Sequence, residues 1–226
     1  KWNGFRCIAR PDGETVEMIS RSGKPLGRYF PEVLEILGRV KERRFTIDGE
    51  LIIPLADRLD FEALQLRLHP AESRVRKLAK ETPAGLMLFD VLEIGGKSLN
   101  ERTLAERRKA LERFHKVNVV DGLLLSPATT SRDVALGWLK RSGGALDGVI
   151  AKRIDQPYRF GERAMVKIKQ LRTADCVVGG FRYAEKKHEV GSLLLGLYDD
   201  DGKLHHVGFK YAIPARERPA LTKTLK

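Results

Sequence analysis

The chain has 226 residues, 42% of them hydrophobic, and carries 42 Lys and Arg against 30 Asp and Glu for a formal net charge of +12. That length buries one good core and part of a second, and the composition excludes an intrinsically disordered chain. No apolar run approaches the roughly 20 residues of a membrane-spanning helix, and the cationic excess points to a polyanionic partner, nucleic acid before an anionic membrane surface. The two cysteines, Cys7 and Cys176, sit in apolar strand-like runs without metal-ligand spacing, and they read as buried, reduced thiols of a cytosolic protein.

In chain order, residues 6–10 and 15–20 predict two short strands around Pro11-Asp12-Gly13, a turn in which proline fixes φ and glycine frees it. The second strand delivers the polar turn Ser20-Arg21-Ser22-Gly23-Lys24. A helix follows, with Pro31 in its first turn and Val33, Leu34, Ile36, Leu37 and Val40 on one face. Residues 45–53 predict a strand interrupted by Asp48-Gly49-Glu50, acidic residues inside an apolar run. Asp60 is placed to cap a helix carrying Phe61, Leu64 and Leu68, and a basic stretch covers 74–80.

Residues 86–94, a near-continuous apolar run holding Phe89-Asp90, predict a strand buried on both faces. Ser98-Leu99-Asn100-Glu101 has capping-box spacing before a charged helix to about residue 116, with Leu104, Leu111 and Phe114 as its apolar stripe. Residues 117–125 predict a strand, 131–141 a helix ended by Gly143-Gly144, and 148–152 and 164–169 two further strands. From residue 174 onward the texture is β without a convincing helix: 176–183, 191–198 and 204–209, the last two joined by Asp199-Asp200-Asp201-Gly202. This change sets a domain boundary at Leu171-Arg172-Thr173, dividing 1–170 from 171–226.

Five segments concentrate chemistry. The chain opens on Lys1-Trp2-Asn3-Gly4-Phe5-Arg6; Asp48-Gly49-Glu50, Phe89-Asp90, Asp147-Gly148-Val149-Ile150-Ala151-Lys152 and Lys167-Ile168-Lys169 follow. A lysine with an acid or amide two residues on and then a glycine suits a nucleotidyl-transferring nucleophile. A neutral amine attacks phosphorus, and a residue without Cβ lets the backbone approach a nucleotide. Each segment alone is commonplace: Lys1 reads as a solvated lysine, Phe89 as a core ring, Asp147 as a turn aspartate, and Lys167 and Lys169 as alternating positions on a surface strand. The specific signal is their order.

In that order the segments resemble the ATP-dependent DNA ligases of the covalent nucleotidyltransferase superfamily, most of all the ligases and ligase domains of bacterial double-strand-break repair. The resemblance covers essentially the whole chain, with motifs at Lys1, Ser20, Asp48, Phe89, Asp147 and Lys167. It implies an α/β (α+β) nucleotidyltransferase domain, ATP-grasp-like, with antiparallel sheets and flanking helices over 1–170, then a partial OB-fold β-barrel over 171–226. It further implies that Lys1 attacks the α-phosphorus of ATP and carries AMP as a phosphoramidate. AMP then passes to the 5′-phosphate of a nick, and the neighbouring 3′-hydroxyl displaces it.

By the same resemblance, Arg6, Arg21, Glu50, Phe89, Lys167 and Lys169 surround the nucleotide, with Phe89 against adenine, and Glu50 and Asp147 serve Mg²⁺ or Mn²⁺. Ser20 and Arg21 take the 5′-phosphate of the nick, where a guanidinium fork suits a phosphate. The implied partners are nicked or broken duplex DNA and other end-joining proteins, for a monomer in the bacterial cytoplasm at the nucleoid, with no membrane. An RNA ligase or capping-type transferase, and a catalytically impaired nucleic-acid-binding module, are the alternatives. Asn3 stands where the family has aspartate, and Asp147 where it has glutamate. The resemblance also implies a segment before the lysine and a basic motif after the barrel strands that these 226 residues do not contain, which leaves the first step, AMP transfer to Lys1, as the one to test.

Overall fold

The computed structural model describes residues 1–55, 58–141, 146–170, 173–185 and 187–225. The chain divides into two compact units, Lys1–Gln170 and Leu171–Lys226. Leu171 and Arg172 of the boundary segment, and the Gly143-Gly144 helix stop, lie outside the described residues.

In the first unit, β1 (Phe5–Asp12) and β2 (Thr15–Ser20) form a hairpin, and a 3-10 turn at Gly27–Tyr29 leads into α1 (Pro31–Gly38). There follow β3 (Phe45–Ile52), the two-residue strands β4 (Pro54–Leu55) and β5 (Arg58–Leu59), α2 (Phe61–Leu66), α3 (Glu72–Glu81), β6 (Gly85–Ile94) and β7 (Lys97–Ser98). The unit ends with α4 (Leu104–Val117), β8 (Leu123–Leu125), α5 (Arg132–Lys140) and a hairpin of β9 (Val149–Lys152) and β10 (Met165–Ile168). Five strands make one antiparallel sheet in the order β2-β1-β3-β6-β7, and β8 adds to β6 in parallel.

Period-two alternation gives this sheet two different faces. Cys7 and Ala9 of β1, Ile47 and Leu51 of β3, and Leu86 and Leu88 of β6 enter a single core with Val33 and Leu37 of α1 and Leu111 and Phe114 of α4. Arg6, Asp48 and Glu50 occupy the alternate positions. Burying each large aliphatic side chain contributes about 1.5–3 kcal/mol, so this core anchors the strands that carry those polar residues.

One irregularity decides where Asp90 points. Asp48 pairs with Asp90, but the next residue, Gly49, pairs with Leu88, so Phe89 is an extra residue on β6. Strict alternation would put Asp90 on the same side as Leu88. The bulge shifts the parity: Val91 joins the core in its place, and Asp90 turns to the face that carries Asp48.

Several sequence expectations hold locally and others shift. Asp60 Oδ1 accepts from Ala63 N at 2.8 Å and caps α2, although Leu68 falls beyond that helix and is exposed. The basic stretch at 74–80 is the body of α3, whose inner side consists of Val75 and Ala79. The capping box forms at Thr103 and Glu106 rather than at Ser98 and Glu101, with Glu106 Oε2 accepting from Thr103 N at 2.8 Å. Ser98 is unavailable for it because it pairs with Glu93 across β6 and β7. The strand predicted over 117–125 shrinks to β8, since α4 continues through Val117.

The second unit contains β11 (Val177–Tyr183), β12 (Val190–Tyr198) and β13 (Leu204–Lys210), an antiparallel sheet in chain order, and α6 (Arg218–Thr224). Asp199 nucleates the β12–β13 turn, its Oδ1 accepting from Asp201 N at 3.1 Å and Lys203 N at 2.8 Å. The three described strands pair in a line, and no closed barrel is seen. The expectation of a helix-free second piece is corrected by α6: Pro219 stands in its first turn, where a missing N–H costs nothing, and Val190 N donates to Thr222 Oγ1 at 2.8 Å, tying the helix to β12. Cys7 is buried as expected, whereas Cys176 is only half-buried because it precedes β11, with its Sγ 3.8 Å from Ala174 O. Among the described residues no helix is long and apolar enough to cross a membrane.

Candidate active site

The segment bearing Lys1 is held by backbone pairing before any side chain is considered. Trp2 bridges Leu146 in antiparallel fashion, and the Lys1 carbonyl accepts from Asp147 N at 2.9 Å. On its other side the Trp2 indole Nε1 donates to Ser126 Oγ at 2.9 Å. Gly4 then passes β3 so closely that a Cβ there would stand 2.1 Å from Leu51 O and 2.7 Å from Glu50 Cγ. Glycine at this position is a steric requirement, and without a Cβ the Lys1 segment passes close over β3 at Glu50 and Leu51.

This pairing sets Lys1 Nζ 2.9 Å from Asp147 Oδ2 and 2.9 Å from Trp2 O. Lys169 Nζ pairs with the same Asp147 oxygen. Partial burial pushes the Asp147 carboxyl up, but hydrogen bonds from Lys169 and Lys1 outweigh it, and the net shift is downward. Asp147 is thus an ionised carboxylate shared by two ammonium groups. The approach of Lys169 depends on Gly148, which has φ +133° and where a Cβ would meet Ile168 O at 2.3 Å.

A second cluster lies on the polar face of the sheet. Arg6 and Glu50 are cross-strand partners, as are Asp48 and Asp90. Arg6 grips the fully buried Asp48 with two bonds, Nε to Oδ1 at 3.0 Å and Nη2 to Oδ2 at 2.7 Å. Tyr158 closes the group, its hydroxyl donating to Asp48 Oδ2 at 2.7 Å and accepting from Arg6 Nη2 at 2.6 Å. The hydrogen bond to Asp48 is the chief reason that the guanidinium of Arg6 holds its proton more tightly than usual; burial, with the charge of Asp48, pushes the phenol of Tyr158 up.

Behind this group, buried Arg107 binds Asp90 in the same two-pronged way, at 2.8 and 3.1 Å. Lys152 Nζ lies 3.8 Å from Asp90 Oδ2 and 4.9 Å from the centroid of the Phe89 ring. Burial lowers the Lys152 ammonium pKa against the opposing fields of Asp90 and Asp48.

Among the described residues Glu50 is the one strongly perturbed carboxyl. Burial pushes it up to about 7, while Lys1 pulls it down and Asp48 pushes it further up. Among the described residues no three His, Cys, Asp or Glu side chains gather as a metal cage. Glu50 and Asp147 nevertheless both feel the charge of Lys1, and Glu50 is a desolvated carboxylate with no salt bridge among the described residues. Hard carboxylate oxygens of this kind suit Mg²⁺, which takes one or two of them and completes its shell with waters and substrate phosphates. The residues present fit such an ion.

Residues 1–169 match the family model described as the ATP dependent DNA ligase domain. The chain belongs to the ATP-dependent DNA ligase family. It is 48% identical over 228 residues to DNA ligase C2 of Mycolicibacterium smegmatis and 46% identical over 236 residues to DNA ligase C of Mycobacterium tuberculosis. Both alignments cover 100% of this chain and 64% of the relative, so the chain spans just under two-thirds of their length. A solved structure of mycobacterial DNA ligase D complexed with ATP and MES superposes with TM-score 0.60 at 27% identity, covering 100% of this chain and 69% of that one. The resemblance drawn from motif order is borne out.

In this ligase-family chain, the candidate residues Lys1, Asp147 and Lys169 meet in direct contact, and Arg6 and Glu50 adjoin one another on the neighbouring strands. Lys167 is exposed on β10 opposite Ile150 and does not share the ion pair with Asp147. Phe89 is half-buried at the bulge, under Lys152. Ser20 is half-buried at the end of β2, paired with Cys7, and Arg21 is exposed in the turn that follows, where Ser20 Oγ meets Ser22 Oγ at 3.1 Å and accepts from Lys24 N at 3.0 Å. Sequence reading missed Tyr158 and Arg107, and named Lys152 only as the end of the Asp147 segment, without a role. Tyr158 lies in the loop between β9 and β10 with no local pattern to flag it; the only hint for Arg107 is a charged residue on the inner stripe of α4, four positions before Leu111.

Proposed function

We propose that the chain is the catalytic portion of an ATP-dependent DNA ligase that seals nicks or breaks in duplex DNA through a lysine-linked adenylate. The observation that carries this reading is the sharing of Asp147 by Lys1 and Lys169, beside the Arg6–Asp48–Tyr158 cluster. Lys1 attacks the α-phosphorus of ATP, a nitrogen–phosphorus bond forming as pyrophosphate leaves. The ammonium sheds a proton before it can attack, and Asp147 Oδ2, 2.9 Å away, is the nearest carboxylate oxygen in reach. Because Asp147 also binds Lys169, the two cations sit side by side, and phosphate oxygens entering the site meet Lys169 as Lys1 reacts.

Arg6, locked by Asp48 and Tyr158, offers its remaining edge to the ribose and phosphates without having to be ordered on binding. Phe89, presented by the bulge, packs against adenine. Glu50 and Asp147 hold Mg²⁺ or Mn²⁺, which when bound neutralises charge on the phosphates. Lys167 serves the phosphates from β10, and Ser20 and Arg21 take the 5′-phosphate of the nick. Residues 1–170 are then the adenylation domain, and 171–226 part of an OB-fold that faces DNA, a reading supported by the antiparallel order of β11, β12 and β13. We place the protein as a monomer at the bacterial nucleoid, working with end-joining proteins. One Mycobacterium tuberculosis relative, 29% identical over 205 residues, is named a multifunctional non-homologous end joining DNA repair protein.

The test is incubation with α-labelled ATP and Mg²⁺ followed by denaturing electrophoresis, comparing the chain with Lys1→Ala. Label on the first and none on the second supports the reading. If neither is labelled, sealing of a pre-adenylated nick is measured; sealing there keeps the ligase reading with the first step lost, and silence in both assays rejects it.

A further inference from the structure

Ser126 follows β8, and its backbone is fixed from two sides. Its N–H donates to Leu88 O at 2.8 Å, which continues the parallel pairing of β8 with β6. Its carbonyl accepts from Arg108 Nη1 at 2.7 Å, and Arg108 is itself held by Glu112 one turn further along α4, at 2.6 Å. Pro127 comes next, and a residue before proline is biased to extended backbone. Sheet, helix and proline together leave the half-buried Ser126 little freedom.

The hydroxyl of this fixed residue accepts from Trp2 Nε1 at 2.9 Å. An indole N–H can only donate, and it needs an acceptor where the ring is half-buried. Trp2 in turn holds Lys1 in two ways. Its carbonyl accepts from Lys1 Nζ at 2.9 Å, and its backbone bridge to Leu146 accompanies the bond from Asp147 N to Lys1 O. β1 begins only at Phe5, so residues 1–4 precede the ladder that fixes the hairpin. The bond from indole to hydroxyl gives them an anchor on a different part of the sheet.

The place of that anchor carries the argument. Leu88, which fixes Ser126, immediately precedes Phe89, the bulge residue of β6. The segment of the nucleophile and the ring read as packing against adenine are therefore referenced to adjacent residues of one strand. Attack on phosphorus requires the reacting atoms to lie about 3–3.5 Å apart and aligned. An error in that placement slows the chemical step without removing any group that binds ATP.

Resting on the ligase reading above, we propose that Ser126 is a positioning residue for AMP transfer: its hydroxyl, by accepting from Trp2 Nε1, sets Lys1 at the distance from the nucleotide that attack requires. The experiment compares the 226-residue chain with Ser126→Ala, Ser126→Thr, Trp2→Phe and the double variant Trp2→Phe/Ser126→Ala by two readouts. In single-turnover labelling with α-labelled ATP and Mg²⁺, Ser126→Ala lowers the saturating rate about tenfold and leaves the KM for ATP little changed. In hydrogen exchange without nucleotide, the Asp147 amide that donates to Lys1 O exchanges about fivefold faster, the scale of one lost hydrogen bond. Amides of β3 keep the parent's rates, which separates a local release from general loosening. Ser126→Thr, which keeps a hydroxyl, recovers both readouts. Trp2→Phe reproduces the defects of Ser126→Ala, and the double variant adds nothing to them because the same bond is lost. Ser126→Ala with the parent's exchange at Asp147 overturns the proposal, as does a double variant whose losses add. Exchange needs no catalysis, so the two failures separate. A parent that neither takes label nor seals a pre-adenylated nick rejects the ligase reading; a labelled parent matched by Ser126→Ala in rate and exchange rejects the role of Ser126 alone.

Discussion

Tyr158 and Asp48 stand 110 positions apart and share a hydrogen bond of 2.7 Å, and the same hydroxyl accepts from Arg6. A fully buried carboxylate is thereby given a second donor, and a guanidinium on β1 is fixed by a loop that belongs to a different hairpin. Tyr158→Phe keeps the ring against Phe160 and removes only the hydroxyl. The expected cost is about 1–3 kcal/mol in urea unfolding, because Asp48 is left under-bonded. Arg6 also loses its alignment, so the KM for ATP in Lys1 labelling rises several-fold while the single-turnover rate at saturation falls less. An unchanged KM would remove Tyr158 from the positioning of Arg6.

Asp147 is shared by Lys1 and Lys169, so removing its charge leaves two ammonium groups side by side. Asp147→Asn is expected to lower the rate of Lys1 labelling by about 100-fold, the scale found for losing a proton acceptor or a charge-stabilising group. Asp147→Glu restores the residue that the family usually carries and retains labelling within about tenfold. Equal rates for the asparagine and aspartate forms would show that this carboxylate plays no part in the first step.

The pH dependence of stability has a definite sign at Glu50. In the folded chain its carboxyl keeps a proton up to about 7, against a usual value of 4.5. Between those two values the folded state binds more protons at Glu50 than the unfolded state, so the contribution of this one group to stability is fully present below pH 4.5 and is lost as pH rises to 7. Glu50→Gln removes the penalty. Measured in EDTA, this variant is expected to be more stable than the parent at pH 8 by on the order of 2 kcal/mol, with the difference gone by pH 4.5. Added Mg²⁺ stabilises the parent and not the variant. A variant less stable than the parent at pH 8 contradicts the assignment.

Gly4→Ala places a methyl group 2.1 Å from Leu51 O, where backbone rather than a flexible side chain must give way. Overpacking of this kind costs about 1–3 kcal/mol, and here it pushes the Lys1 segment off the sheet. Gly38→Ala is the control, since a Cβ there meets nothing within 4 Å. Thermal denaturation and Lys1 labelling are both expected to drop for the first variant and to stay level for the second.

The local elements could be read wherever a short-range rule operated without competition. Apolar runs marked β1, β2, β3 and β6, Asp60 marked the start of α2, and the order of the five polar segments marked the family. Where two local rules competed, the sequence had no means of choosing. Ser98 and Thr103 each have a glutamate three residues on, and Thr103 became the cap because Ser98 was taken by pairing with Glu93. α3 hid its helix because only Val75 and Ala79 face inward, which left a stretch dominated by charge.

The candidate site divides along the same line. The sequence by itself determined the residue types: a lysine before a glycine, carboxylates inside apolar strands, and alternating lysines near the end of a hairpin. Tertiary structure decided which of them touch. The bulge at Phe89 turned Asp90 to the polar face, backbone pairing of Trp2 with Leu146 brought Lys1 to Asp147, and the loop between β9 and β10 supplied Tyr158. A hydrogen bond or ion pair depends on separation in space, and residues 110 or 146 positions apart acquire theirs only when the sheet that joins them has formed.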